Sequence, residues 1–242
     1  MTQTPQATRS LPPVPPRSKS RSAVHLVGEL LITIGVLLLL FVAWQLWWTD
    51  VLAHKAYDEG RAELRQEWGV TDAGGTPNAV KPKYGKSFGL IYIPALRDRA
   101  WGVPVLEGTE REVLMKGFGH HPETAVPGEK GNFAIAGHRT TYGAPLNNID
   151  TLEKGDEVIV ETKSGWYVYE LEAQEIINPW DGWILDPVPG LPSNTEPRDA
   201  KITIYSCHPK YTANQRYVWF GSLVEEMPKS AGTPPAIEKW GE

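Results

Sequence analysis

A lone cysteine, Cys207, closes a β-branched run in the segment ITIYSCHPKY, residues 202–211 of a 242-residue chain. A thiol attacks as the thiolate, so chemistry at Cys207 needs a proton acceptor or a cation close by, at a place that substrate can reach. Two residues have the type and setting for this. His138 ends the apolar run GNFAIAGH (131–138), and Arg216 opens the run RYVWFGSLVEE nine residues after Cys207. If these runs are strands, Cys207 and His138 both sit at strand ends, and the guanidinium of Arg216 lies beside the thiol across a turn. His208 is the cysteine's neighbour in sequence, but adjacent residues on an extended segment point to opposite faces. It can serve Cys207 only if the turn at Pro209 re-aims it. On the cysteine count alone, an inert packed thiol fits as well as a reactive one.

Other chemistry is thinly represented. Cys207, His208 and the His120–His121 pair would supply zinc donors, but without the CxxC or HxxxH spacing that zinc sites favour. No acidic cluster suggests calcium. Glycine-rich phosphate and dinucleotide fingerprints, GxSxG and HExxH are all missing, so neither metal nor cofactor is expected. A net charge of −5 gives no reason to expect a nucleic-acid partner.

The elements that must carry these residues divide the chain into five. Residues 1–25 hold Arg9, Arg17, Lys19 and Arg21 with no acidic residue, and Pro12, Pro13, Pro15 and Pro16 crowd the same stretch. Such a segment has too little apolar surface to fold and reads as disordered. Leu26–Trp48 is apolar over 23 residues, and at about 1.5 Å per residue it crosses a hydrocarbon core about 30 Å thick. Trp44, Trp47 and Trp48 suit its far interface, and no small-residue cleavage site follows them. The basic flank puts residues 1–25 in the cytoplasm and everything after Trp48 outside, making residues 26–48 an uncleaved signal anchor. Residues 49–85 read as a solvated helical stalk, with Lys55 and Glu59 spaced as an i,i+4 pair, followed by a Gly- and Pro-containing linker. Gly60 weakens that helix.

Over 86–227 short β-branched and aromatic runs are bounded by Gly, Pro, Asn and Asp, which predicts a mostly β domain closed as a barrel or stacked as a sandwich. One helical signal, Thr109-Glu110-Arg111-Glu112, has capping-box spacing. Residues 228–242 form a tail with little periodicity. An exported chain uses cysteines in pairs, so a single one outside the cell points toward a reactive thiol or an intermolecular bridge.

Taken together the motifs resemble a known family. Thr203-Ile204-Tyr205-Ser206-Cys207 resembles the T-L-x-T-C signature of sortases, and GNFAIAGHRTTYGAPLNNID (131–150) resembles their histidine segment. CHPKYTANQRYVWFG (207–221) is similar to the stretch from the sortase cysteine to its arginine, with the Cys-His-Pro variant of actinobacterial class E enzymes. GHHPETAVPGEKGN (119–132) resembles the loop before the histidine in that class. The likeness covers about Ser87 to Glu226. Ile204 for Leu and Ser206 for Thr depart from the signature while keeping a branched apolar group and a hydroxyl.

The resemblance implies a closed sortase-type β-barrel with short helices in its loops, behind a single transmembrane helix. It implies Cys207 as nucleophile, His138 as general acid and then base, and Arg216 as oxyanion stabiliser. Thr203, Ser206 and Tyr142 are candidates for contacting substrate. The aromatic strand Trp166-Tyr167-Tyr169 could also line a peptide groove, although packing inside the barrel fits it better. The implied substrates are secreted proteins with a C-terminal LPxTG- or LAxTG-like sorting signal, and the acceptor is an amine on a lipid-linked peptidoglycan precursor. Alternatives are an inert membrane-tethered β module that binds a cell-wall ligand, a peptidase releasing its acyl group to water, and a pilin-polymerising sortase. The last is disfavoured because no C-terminal span is expected.

Overall fold

Alternation along one strand shows how the barrel is built. In β7 (Ala200–His208), Ile202 and Ile204 enter the hydrophobic core, while Thr203, Tyr205 and Cys207 face the other way. The computed structural model describes residues 19–69 and 82–240, so the proline-rich segment up to residue 18 and the linker expected over 70–81 lie outside the described residues. The remaining strands are β1 (Ser87–Tyr92), β2 (Trp101–Glu107), β3 (Phe118–His120), β4 (Gly131–Ala136), β5 (Glu157–Thr162), β6 (Gly165–Ile177) and β8 (Gln215–Pro228). They close a barrel in the order β1-β2-β3-β4-β7-β8-β6-β5. β2–β3 and β4–β7 pair parallel and the other neighbours antiparallel.

The interior is filled by one branched or aromatic face from each long strand, including Ile91, Val105, Phe133, Ile135, Val158, Val160, Ile204 and Trp219. Tyr167 and Tyr169 belong to this core, and Trp166 is buried against the barrel's outer side, so the aromatic strand packs the fold and lines no groove.

Helix α1 runs unbroken from Lys19 to Gly69, taking in residues 19–25 of the segment expected to be disordered. Its apolar stretch presents Leu30, Leu31, Ile32 and Leu37 to Leu40 exposed, and it is long and apolar enough to cross a membrane. From Leu46 onward the chain forms one compact unit that includes the barrel. Here the stalk expectation is corrected. Ala53, Tyr57 and Leu64 are buried, Leu64 in a cluster with Leu90, Tyr92, Ile159 and Trp166. Every second residue of β1 and β5 points away from the barrel interior, and this part of α1 covers that apolar outer face. Gly60 serves the same contact: a Cβ there would stand 2.8 Å from Pro104 Cγ. Only the outward face of the helix is solvated, where Lys55 pairs with Glu59 at 3.7 Å.

A buried carboxylate must be paired, and Glu161 of β5 is paired from several elements. It accepts from Arg65 Nη1 of α1 at 2.7 Å, from Tyr92 OH at 2.9 Å, and from Lys229 Nζ. The expected tail is likewise part of the fold, since β8 continues to Pro228 and α3 (Pro235–Trp240) buries Ile237 beside Leu64. The short helix α2 (Arg111–Leu114) is capped by Glu110, whose own side chain makes no cap bond, so Thr109 does not form the capping box that its spacing suggested.

Candidate active site

The strand register brings the chemistry together. β4 pairs in parallel with β7 up to Ala136 opposite Tyr205, and Gly137 N still donates to Tyr205 O at 3.2 Å. His138 follows directly on Gly137, two residues past the end of β4. On the other side of β7, Cys207 is the direct antiparallel partner of Arg216. Directly opposed residues project to the same side of a sheet, and on β7 that side is the outer one. Cys207 and Arg216 thus share one rung on the outside of the barrel, next to the strand β4 that leads into His138. His138 lies just past the end of β4, whereas Cys207 lies within β7 and is partly exposed.

Each side chain has a distinct setting. Arg216 Nη1 donates to Ala213 O at 3.0 Å and Gln215 O at 2.9 Å, which fixes the guanidinium at the mouth of the turn. Its five N–H donors exceed those two bonds, leaving donors for an oxyanion. His138 is partly buried, its Nε2 is buried without a hydrogen-bond partner, and its ring lies 5.1 Å from that of Tyr142. Burial first, and the charge of Arg111 second, hold the imidazole below the ordinary histidine pKa. Arg111 reaches the site by donating from Nη2 to Tyr142 OH at 3.1 Å.

A cation near an imidazole disfavours its protonated form. Arg111→Gln should therefore raise the His138 pKa, and the limb of the pH–rate profile that marks His138 deprotonation should move to higher pH. A limb that stays put or moves down would mean that the Arg111 charge is not felt at His138.

Of the residues proposed to touch substrate, Tyr142 stands beside His138, but Thr203 and Ser206 are buried with their hydroxyls already bonded. Thr203 is fully buried and donates to Asn132 Oδ1 at 2.7 Å; Asn132 Nδ2 in turn donates to Ile184 O at 2.8 Å and Asp186 O at 3.1 Å. Thr203 therefore orients the amide that ties down the β6–β7 connection. Ser206 is also buried and donates to Gly137 O at 2.7 Å, binding β7 to the residue before His138. Both hydroxyls are used to hold the rung in place, and neither is available to a peptide.

Sequence reasoning missed Arg139. Its side chain is buried, pairs with Asp150 at 2.8 Å, and donates from Nη1 to Cys207 O at 3.3 Å and His208 Nδ1 at 2.9 Å. A guanidinium only donates, so Nδ1 of His208 is an acceptor there. The ring of His208 also packs 5.6 Å from Tyr217, a core residue, as expected for a side chain opposite in direction to Cys207. The available signal was position alone, an arginine directly after His138. His120 belongs to no zinc set: it is buried, with Nδ1 2.6 Å from Glu107 Oε2 and Nε2 3.0 Å from Ala125 O.

The loop after His138 is strained. Tyr142, Gly143 and Ala144 have φ of 51°, 75° and 43° in succession, and such left-handed residues other than glycine cost about 1–3 kcal/mol each.

Comparison with known proteins is consistent with this geometry. A family model described as Sortase domain matches residues 91–224. Sortase SrtE1 of Streptomyces coelicolor is 39% identical over 223 residues, 89% of this chain; the chain spans 61% of that relative's length. Sortase SrtE2 of the same organism is 36% identical over 226 residues, 88% of this chain and 87% of the relative. The structure of sortase E from Streptomyces avermitilis matches with a TM-score of 0.57 and 40% identity, over 64% of this chain and 99% of that one. Sortase E1 from Streptomyces coelicolor, solved with a tripeptide in its active site, matches with a TM-score of 0.57 and 36% identity, over 63% and 97% of the two chains.

Proposed function

The chain belongs to the sortase family, and from that premise we propose that it is a membrane-anchored cysteine transpeptidase of the class E type. Its substrates are secreted proteins with a C-terminal LPxTG- or LAxTG-like signal, cut between Thr and Gly. Its acyl acceptor is an amine of a lipid-linked peptidoglycan precursor. The observation that carries this reading is the pairing of Cys207 with Arg216 on the outer face of the barrel, beside the strand that leads into His138.

The thiolate of Cys207 adds to the threonine carbonyl carbon, and the electron pair of the C=O bond moves onto oxygen. Arg216, with donors to spare and a permanent charge, stabilises that oxyanion. When the intermediate collapses, the bond to the glycine nitrogen breaks, and His138 supplies the proton that makes glycine a neutral amine leaving group. A thioester remains on Cys207. His138, now neutral, takes a proton from the incoming amine as it attacks the thioester, and the Cys207 thiolate leaves. The depressed pKa of His138 suits this second half, because it favours the neutral imidazole that takes up the proton.

The exposed apolar stretch of α1 supports a single-pass anchor with the N-terminus in the cytoplasm and the catalytic domain outside. A client held by its own membrane tail then meets the enzyme in two dimensions, which raises its effective concentration.

The test uses the full chain in detergent micelles with fluorogenic LPxTG and LAxTG peptides, with and without a primary amine. Cleavage between Thr and Gly, with the amine appended when present, is the expected result. Cleavage with water as the only acceptor would reassign the protein as a peptidase. Binding without cleavage of either peptide would favour a tethered recognition module.

A further inference from the structure

The left-handed loop beside His138 has a turn bond of its own, Ala144 N to Thr141 O at 3.0 Å, and is held from outside as well. Tyr57 OH, from α1, donates to Tyr142 O at 2.9 Å, and Gly143 N donates to Asp50 Oδ1 at 3.0 Å. Arg99 Nη1 donates to Gly143 O at 3.2 Å and stands 4.0 Å from Asp50. Tyr57 also presses on the loop: a Cβ at Gly143 would lie 2.7 Å from its hydroxyl, so the close approach requires glycine there. The peptide joining Tyr142 to Gly143 is thus held by α1 at both its carbonyl and its N–H, within the turns that directly follow the apolar stretch. The ring they place, that of Tyr142, is the one that lies against His138.

We propose that Asp50 and Tyr57 are positioning residues for catalysis, holding Tyr142–Ala144 in the left-handed conformation that sets the Tyr142 ring against His138. The proposal rests on His138 being the proton-transfer residue. The buried edge of His138 is shielded by a residue whose backbone is strained, and strain persists only when surrounding structure over-determines it. Here the determining contacts come from a helix remote in sequence from the loop. Without them the loop relaxes, the Tyr142 ring leaves the imidazole, and water reaches the histidine.

The test is kinetic, on the full chain in detergent micelles with the sorting-signal peptide and amine. Tyr57→Phe removes one hydroxyl and keeps the buried ring. It should lower kcat about ten- to a hundredfold, the scale expected when a catalytic group is misplaced by about 1 Å, with KM little changed. The pH limb reporting His138 should move up, because the burial that depresses its pKa is relieved. The charged and titratable groups on the elements around the imidazole are Arg111 from α2, Tyr142 from its own loop, and Cys207 and Arg216 on β7 and β8, with Asp50 and Arg99 behind the loop; none of these changes in Tyr57→Phe. Asp50→Ala should behave in the same way, and Asp50→Asn, which keeps an acceptor oxygen for Gly143 N, should recover most of kcat.

A Tyr57→Phe protein with wild-type kcat and an unmoved limb overturns the proposal. So does one whose only change is a lower melting temperature. His138→Ala run in parallel separates the premise from the inference. If that variant still turns over, the premise fails; if it is dead beside an unaltered Tyr57→Phe, only the role of α1 fails.

Discussion

Cys207→Ala should remove both cleavage and transfer of a sorting-signal peptide, a loss of about 10⁴-fold or more in kcat, as when a covalent nucleophile is deleted. Catalysis without it would have to rely on Arg216 and His138 acting on water, and no acyl group could be carried to an amine. The same substitution should scarcely affect stability. Cys207 is partly exposed, faces away from the core side of β7 and makes no disulfide, so truncation opens no large cavity, unlike core deletions that cost about 2–5 kcal/mol. The pairing of β7 with β8 uses backbone groups and is untouched. Intact-mass measurement during turnover supplies the direct readout: wild type should carry the acyl fragment as a hydroxylamine-sensitive adduct, and Cys207→Ala none. Retained turnover in the variant, or an adduct on another residue, would end the nucleophile assignment. Loss of turnover through unfolding would show as a lowered melting temperature, and the partly exposed outer-face position of Cys207 argues against that.

How much of this was readable beforehand depends on whether a feature is local or long-range. Six β-branched runs became strands because alternation and flanking turn residues are local signals. β2 escaped notice because Pro104 interrupts WGVPVLE, and proline in a run argues against a strand with partners on both sides; β3, at three residues, is too short to show a period. Cys207, His138 and Arg216 were proposed from strand ends and family motifs, and the pairing of Cys207 with Arg216 depends on register, which no single segment encodes.

The misreadings have one cause. Thr203 and Ser206 were candidates because they belong to the signature that ends in Cys207, yet their partners, Asn132 on β4 and Gly137 just past its end, lie about seventy residues away. The stalk looked solvated because Lys, Glu and Arg dominate its composition. What that reading lacked was a partner for Arg65, and Glu161 lies on a strand 96 residues on. Ala53, Tyr57 and Leu64 are spaced to share one helix face, which was a usable signal that the charged residues obscured. One practical consequence follows for soluble fragments. A fragment that starts in the linker over 70–81 discards Leu64 and Arg65 from the fold and Asp50 and Tyr57 from the loop, and should be less stable and less active than the full chain.

His138→Ala should be the second most damaging change, and comparing it with His208→Ala tests the choice of His138 over the histidine next to the cysteine. Proton transfer by a positioned group typically contributes about 10²–10⁴-fold, and His138 is asked for it twice, once at the glycine nitrogen and once at the incoming amine. Turnover in His138→Ala should therefore fall by at least about a hundredfold. Exogenous imidazole should restore part of it, since truncation to alanine leaves room beside Tyr142. His208→Ala should act differently. Its Nδ1 accepts from the buried guanidinium of Arg139 and its ring lies by Tyr217. Its loss leaves Arg139 with Asp150 and the carbonyl of Cys207 but without one acceptor. An unsatisfied buried donor costs about 1–3 kcal/mol, so the melting temperature should drop while kcat falls only several-fold, through a looser Cys207 backbone, and imidazole should rescue nothing. The reverse pattern, a nearly active His138→Ala beside a dead His208→Ala that imidazole revives, would move the proton-transfer role to the histidine next to the cysteine. It would also require the Pro209 turn to swing that ring across β7, away from Arg139 and onto the outer face of the barrel.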